Sequence, residues 1–189
     1  MSESLKISHY LTVSGLILAA GFAAGFILSI YDPMFGESLV NLFEEMIANQ
    51  IMSAEPPLLA LQLFLNNLEA CVIIFIGGAF FGFISVAILM LNGVIIGAVL
   101  EVMHKEAGYL AIIAAILPHG IFELPAVIAS GALGLMMGRA VKNELAGTFD
   151  ASFEALRLGG YFVKYIIPFI AIAAIIEAFI TPAILQLVT

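Results

Sequence analysis

Long apolar runs separated by short polar clusters divide the chain. The first run covers 11–30 and stops at Tyr31-Asp32-Pro33, because proline disfavours helix at the residue before it. The second covers 58–91, opens with Asn66, Asn67 and Glu69, and closes at Asn92-Gly93, a strong turn signal. The piece 94–103 spans only about 15 Å as a helix, so it predicts a short third crossing or one arm of a re-entrant hairpin. Glu101, His104, Lys105 and Glu106 then form a charged knot that Gly108 breaks. The run 109–138 would be about 45 Å long if straight, more than a ~30 Å hydrocarbon core, so it must tilt, kink or split. The last run, 161–188, contains Pro168, Glu177 and Thr181-Pro182.

Two further segments have a helical period instead of uniform apolarity. In 37–52, Leu39, Leu42, Phe43, Met46 and Ile47 fall on one side, and Asn41, Glu44, Glu45 and Asn49 on the other. In 141–158, Val141, Leu145, Phe149, Phe153 and Leu156 oppose Lys142, Asp150, Glu154 and Arg157. Both patterns predict interfacial helices. The predicted fold is all-α: one transmembrane domain over 1–189, a polytopic helical bundle of about five spans with a Pro-broken helix and two amphipathic helices. Four small-xxx-small motifs, Gly21/Gly25, Gly78/Gly82, Gly93/Gly97 and Gly134/Gly138, offer faces for close helix contact. Such faces, with no other evident use in so small a bundle, predict a homo-oligomer.

Composition sharpens the class. The 189 residues are 63% apolar and 11% charged, against about 25% charged in a soluble domain, and mean hydropathy is +1.17. The lipid bilayer is the expected surrounding. With only Lys6 before it and no small-residue cleavage signal, the first run reads as a retained span, not a signal peptide. The net charge of −8 argues against nucleic acid as a partner and against anionic lipid over a broad surface. Trp is absent, so interfacial anchoring falls to five tyrosines. Cys71 is alone, which leaves no intrachain disulfide and no cysteine metal site. Basic residues set the orientation: 31–57 has none, whereas 139–160 has Arg139, Lys142 and Arg157. Five spans then place the protein in the cell membrane with the N-terminus cytoplasmic and the C-terminus outside.

Candidate chemistry centres on Leu117-Pro118-His119-Gly120-Ile121-Phe122-Glu123-Leu124-Pro125. His119 and Glu123 are four apart, so a helix puts them on one face. Ionisable groups at bilayer depth are costly and face protein or a water-filled cavity. Counting along the predicted spans brings Asn66, Asn67, Glu69 and Glu177 to a similar depth, so all six residues could form one polar centre or a candidate ion-binding site. Pro118, Gly120 and Pro125, with Asn92 and Gly93, are expected as structural turns or breaks that leave carbonyls free for polar side chains. No HExxH, Walker A or GxSxG motif is present, so no catalytic residues, metal site or cofactor are expected.

The Pro-His-Gly-x-x-Glu-x-Pro core, preceded by Leu91-Asn92-Gly93-Val94-Ile95-Ile96-Gly97 and followed by Ile176-Glu177-Ala178-Phe179-Ile180-Thr181-Pro182, resembles the stage II sporulation protein M family. Asn66-Asn67 fits the same pattern, and the resemblance runs from about Leu11 to the end of the chain. It implies an integral membrane protein and does not imply that this chain cuts anything. In spore-forming bacteria it implies a membrane partner of two peptidoglycan-remodelling proteins; elsewhere the role must differ. The resulting expectation is a non-enzymatic membrane scaffold or assembly protein, with partner membrane or cell-envelope proteins. The alternative is a channel or transporter for a small ion that uses the broken helix and His119, Glu123 and Glu177. An intramembrane hydrolase is a distant third. A polar stripe along several helices would favour transport; one closed, mutually satisfied cluster would favour a scaffold.

Overall fold

The computed structural model describes residues 3–51, 55–148 and 150–188. Helix α1, Glu3–Tyr31, ends at Asp32, whose carboxylate caps the next helix by accepting from the Phe35 amide at 3.4 Å. Helix α2, Pro33–Ile51, and helix α3, Pro56–Ile76, both begin on proline, where the missing N–H is not needed. A 3-10 turn, Gly77–Ala79, and Gly82 at φ 81° reverse the chain into α4, Phe83–Leu145. Gly108, at φ 79° and ψ 161°, divides α4 into two limbs, 83–107 and 109–145. The Asp150 carboxylate accepts from the Ser152 and Phe153 amides and so starts α5, Ala151–Tyr161. A π-helical turn, Phe162–Ile166, joins it to α6, Ile167–Phe179, and α7, Thr181–Val188, follows.

The described residues are helical with no strand, and five stretches are long and apolar enough to cross a membrane. They are Ile7–Tyr31, Pro56–Ala79, Phe83–Lys105, Ile116–Leu145 and Ala151–Phe179. The all-α, five-span expectation therefore holds, while several boundaries move. The second span turns at 77–82, not at Asn92-Gly93. Asn92 lies inside α4, where its amide donates to the Ile88 carbonyl at 2.9 Å, and Gly93 is buried against Leu18 and Gly21 of α1. The piece 94–103 is thus the end of a helical stretch, Phe83–Lys105, that is long and apolar enough to cross, not a separate ten-residue element. Asn-Gly reads as a turn in isolation; here a side-chain-to-backbone bond one turn back and tight packing on α1 keep it helical.

The predicted Pro break moves as well. The backbone stays helical through Pro118, Gly120 and Pro125, and the break lies at Gly108. Membrane helices tolerate proline because the surrounding structure holds the backbone in place. No described side chain donates to the Ala114 or Ile121 carbonyls that these prolines leave without their usual donors. The segment 141–158 is not one interfacial helix: α4 runs to Leu145, and α5 forms the start of the last span. Of the 37–52 pattern, the helix is present through Ile51; the side chains of Phe43, Met46 and Ile47, and Met52 itself, lie outside the described residues, as does Phe149.

The four glycine motifs meet one another inside the chain. Gly21 and Gly25 of α1 cross Gly93 and Gly97 of the first α4 limb, and Gly78 and Gly82 meet Gly134 and Gly138 of the second. These faces are not left over for a second copy, so they give no support to a homo-oligomer. Around the crossings, Ser14 donates to the Ile128 carbonyl at 2.7 Å and Ser85 to the Ile74 carbonyl at 2.6 Å, which satisfies both buried hydroxyls. The apolar core gathers Cys71 and Ile74 of α3, Val127, Leu133 and Met136 of α4, and Leu158, Phe162, Ile166 and Ile170 of the last span.

Candidate functional site

Helices α3, α6 and the second limb of α4 pack together, and each carries one part of a polar centre into the contact. His119 lies three residues after the start of the fourth span at Ile116, and Glu177 two residues before the end of the fifth at Phe179. Antiparallel crossing therefore brings them to one depth. His119 Nδ1 contacts Glu177 Oε2, and these two atoms, both sealed from solvent, have no other polar partner among the described residues. One turn along α4, Glu123 points the same way, with the Asn67 side chain of α3 beside it. The His119 and Glu177 side chains are 19% and 33% exposed, so the centre lies at the edge of the bundle, not in its middle. Phe122 and Phe169 meet edge-on at 5.9 Å, and Phe75 stacks on Phe162 at 5.4 Å, which fixes the spacing of the three helices.

The structure thus brings together His119, Glu123, Glu177 and Asn67. It separates Asn66 and Glu69, which lie on the exposed side of α3. On a helix, neighbours 66 and 67 point about 100° apart, so adjacency in sequence cannot place both inside. Gly120 is buried, Pro118 is half-buried and Pro125 is exposed, all within the helix described above. Two residues escaped sequence reasoning. Buried Cys71 lies beside Ser130 and near Glu123. Their spacing held a signal: Cys71 is four residues from Asn67, and Ser130 seven from Glu123, so each shares a helix face with a member of the centre.

Chemically, an imidazole in contact with one carboxyl group and one helical turn from another can hold or pass a proton, because neutral histidine both donates and accepts. No group of three or more His, Cys, Asp or Glu able to hold a metal converges among the described residues. Two further buried carboxylates among the described residues sit elsewhere. Glu101, at the end of the first α4 limb, pairs with Lys105 at 2.9 Å and His104 at 3.2 Å, and His104 stacks on Tyr109 across the Gly108 break. Arg157 grips Glu154 through two bonds, of 2.9 and 2.5 Å, at the start of the last span.

A family model described as Stage II sporulation protein M matches residues 14–182. Uncharacterized protein MJ0793 of Methanocaldococcus jannaschii is 30% identical over 190 residues, covering 95% of this chain and 97% of its own. Uncharacterized protein MJ0706 of the same organism is 29% identical over 136 residues, covering 71% of this chain and 58% of its own. No solved structure matches.

Proposed function

Since the chain belongs to the stage II sporulation protein M family of membrane proteins, we propose that it is a non-enzymatic membrane scaffold that assembles with copies of itself and with partner membrane or cell-envelope proteins. One observation carries this reading. Asn66 and Glu69 are exposed on α3, and Glu69 lies thirteen residues into the span Pro56–Ala79, near its middle. Neither has a hydrogen-bond or ion-pair partner among the described residues. A carboxylate at the centre of a membrane helix costs about 2.5–3.5 kcal/mol on insertion scales, which a neighbouring protein offering a donor would relieve. The lipid-facing apolar side chains around them, Leu61, Leu65, Ile73 and Ile76, complete a face fitted to another helix.

The test is crosslinking in native membranes. In a Cys71→Ala background, cysteine at position 66 or 69 should form a crosslinked dimer, and cysteine at Leu16, exposed on α1, should not. Monomer alone by mass in mild detergent, together with no crosslink at either α3 position, would remove the assembly reading. The orientation has its own check. Cysteine at Glu37 should react with a membrane-impermeant reagent from outside, and cysteine at Asn143 should not, because Arg139 and Lys142 hold that end cytoplasmic. Equal labelling at both would reverse or discard the topology.

A second reading, ion transport, draws on the His119, Glu123 and Glu177 centre shared by two spans. Against it, the centre occupies one end of the bundle, while the buried serines deeper in the bundle, Ser14, Ser85 and Ser130, are bonded to backbone carbonyls and line no polar path. Proteoliposomes should therefore pass no proton or alkali-cation current that Glu177→Gln abolishes; such a current would favour transport.

A further inference from the structure

At the opposite end of the bundle, α1, the 77–82 turn and the end of α4 border an open cavity of about 540 Å³ lined by His9, Tyr10, Phe81, Arg139, Lys142 and Asn143. Two of the chain's six basic residues meet here, in a protein of net charge −8. No carboxylate lines the cavity, and Lys142 has no ion-pair partner among the described residues. Arg139 is already oriented, since its guanidinium donates to the Tyr10 hydroxyl at 3.2 Å. The walls are rigid, because Gly138 packs directly on the backbone of Phe81 and Gly82. A charge bias that only set topology would need neither a cavity nor hydrogen-bonding groups beside the cations.

We infer that this cavity binds a phosphate group, held by Arg139 and Lys142 and hydrogen-bonded by Tyr10 and Asn143. Its position names the carrier. The cavity opens where the first span starts, near Ile7, and the fourth ends, at Leu145, which is headgroup depth. Val13 and Leu135 extend its wall toward the membrane interior, where an acyl chain would run. The ligand is therefore an anionic phospholipid. A local pocket is compatible with an acidic surface, since the interaction decays within a Debye length.

The test uses the full chain purified in mild detergent, with binding read by native mass spectrometry and by thermal stability. Phosphatidylglycerol should bind at least tenfold more tightly than phosphatidylcholine, and each cation removed should weaken it about fivefold. Lys142→Gln is the decisive variant, because Lys142 has no side-chain hydrogen bond or ion pair among the described residues; Arg139→Gln also releases Tyr10 and is read only if its melting temperature is unchanged. Equal binding of the two lipids, or full phosphatidylglycerol preference in Lys142→Gln, overturns the site. Inorganic phosphate that binds as tightly as phosphatidylglycerol overturns the lipid assignment in favour of a soluble phosphate.

Discussion

Gly25→Ala should cost about 3 kcal/mol of stability and lower the apparent melting temperature in detergent by about 10 °C. A single methyl has so large an effect because of what it meets. A Cβ on Gly25 would fall within the van der Waals radius of the Val94 carbonyl and Cα, and backbone cannot rotate away as a side chain can. Relief requires α1 and the first limb of α4 to move apart, and that separation also loosens the Gly21, Gly93 and Gly97 contacts along the same crossing. Gly15, ten residues earlier on α1, provides the control. Nothing lies within 4 Å of its Cβ position, so Gly15→Ala should be neutral or gain about 0.5–1 kcal/mol from helix propensity. Similar melting temperatures for the two variants would mean that the crossing is looser than the structure has it.

Glu177→Ala should destabilise by about 2 kcal/mol, and so should His119→Ala, because each leaves the other atom sealed from solvent without a partner. The diagnostic quantity is their coupling. If the pair acts as a unit, the double variant should lose about 1 kcal/mol less than the sum of the singles, within the range measured for hydrogen bonds between membrane helices. Additive losses would show that the contact contributes nothing of its own. Glu177→Gln keeps an acceptor oxygen and should recover part of the loss. Glu69→Gln should leave monomer stability unchanged in detergent, since Glu69 has no hydrogen-bond or ion-pair partner among the described residues, and this separates the internal centre from the exposed α3 face.

Hydropathy determined, by itself, that the chain crosses a membrane several times as helix, since no other element satisfies its backbone in lipid without closing a barrel. The spacing of His119 and Glu123 likewise fixed that both lie on one helix face, and the isolated position of Glu177 among Ile175, Ile176, Ala178 and Phe179 required it to find a polar neighbour. What lay beyond the sequence was every feature set by a partner distant along the chain. Gly77–Gly82 turns and Asn92-Gly93 does not, because Gly93 meets α1 whereas Gly82 takes a positive φ at the edge of the bundle. Gly108 breaks the long helix and the two prolines do not, because φ 79° with ψ 161° takes the backbone out of the helix, whereas each proline loses one donor and crowds the carbonyl four residues back while its own φ stays helical. The glycine motifs read as free faces until the fold matched them in pairs. Asn67 turned inward to Glu123 and Asn66 outward to lipid because a helix rotates about 100° per residue, and only the packing of α3 against α4 and α6 chose which of the two faced in.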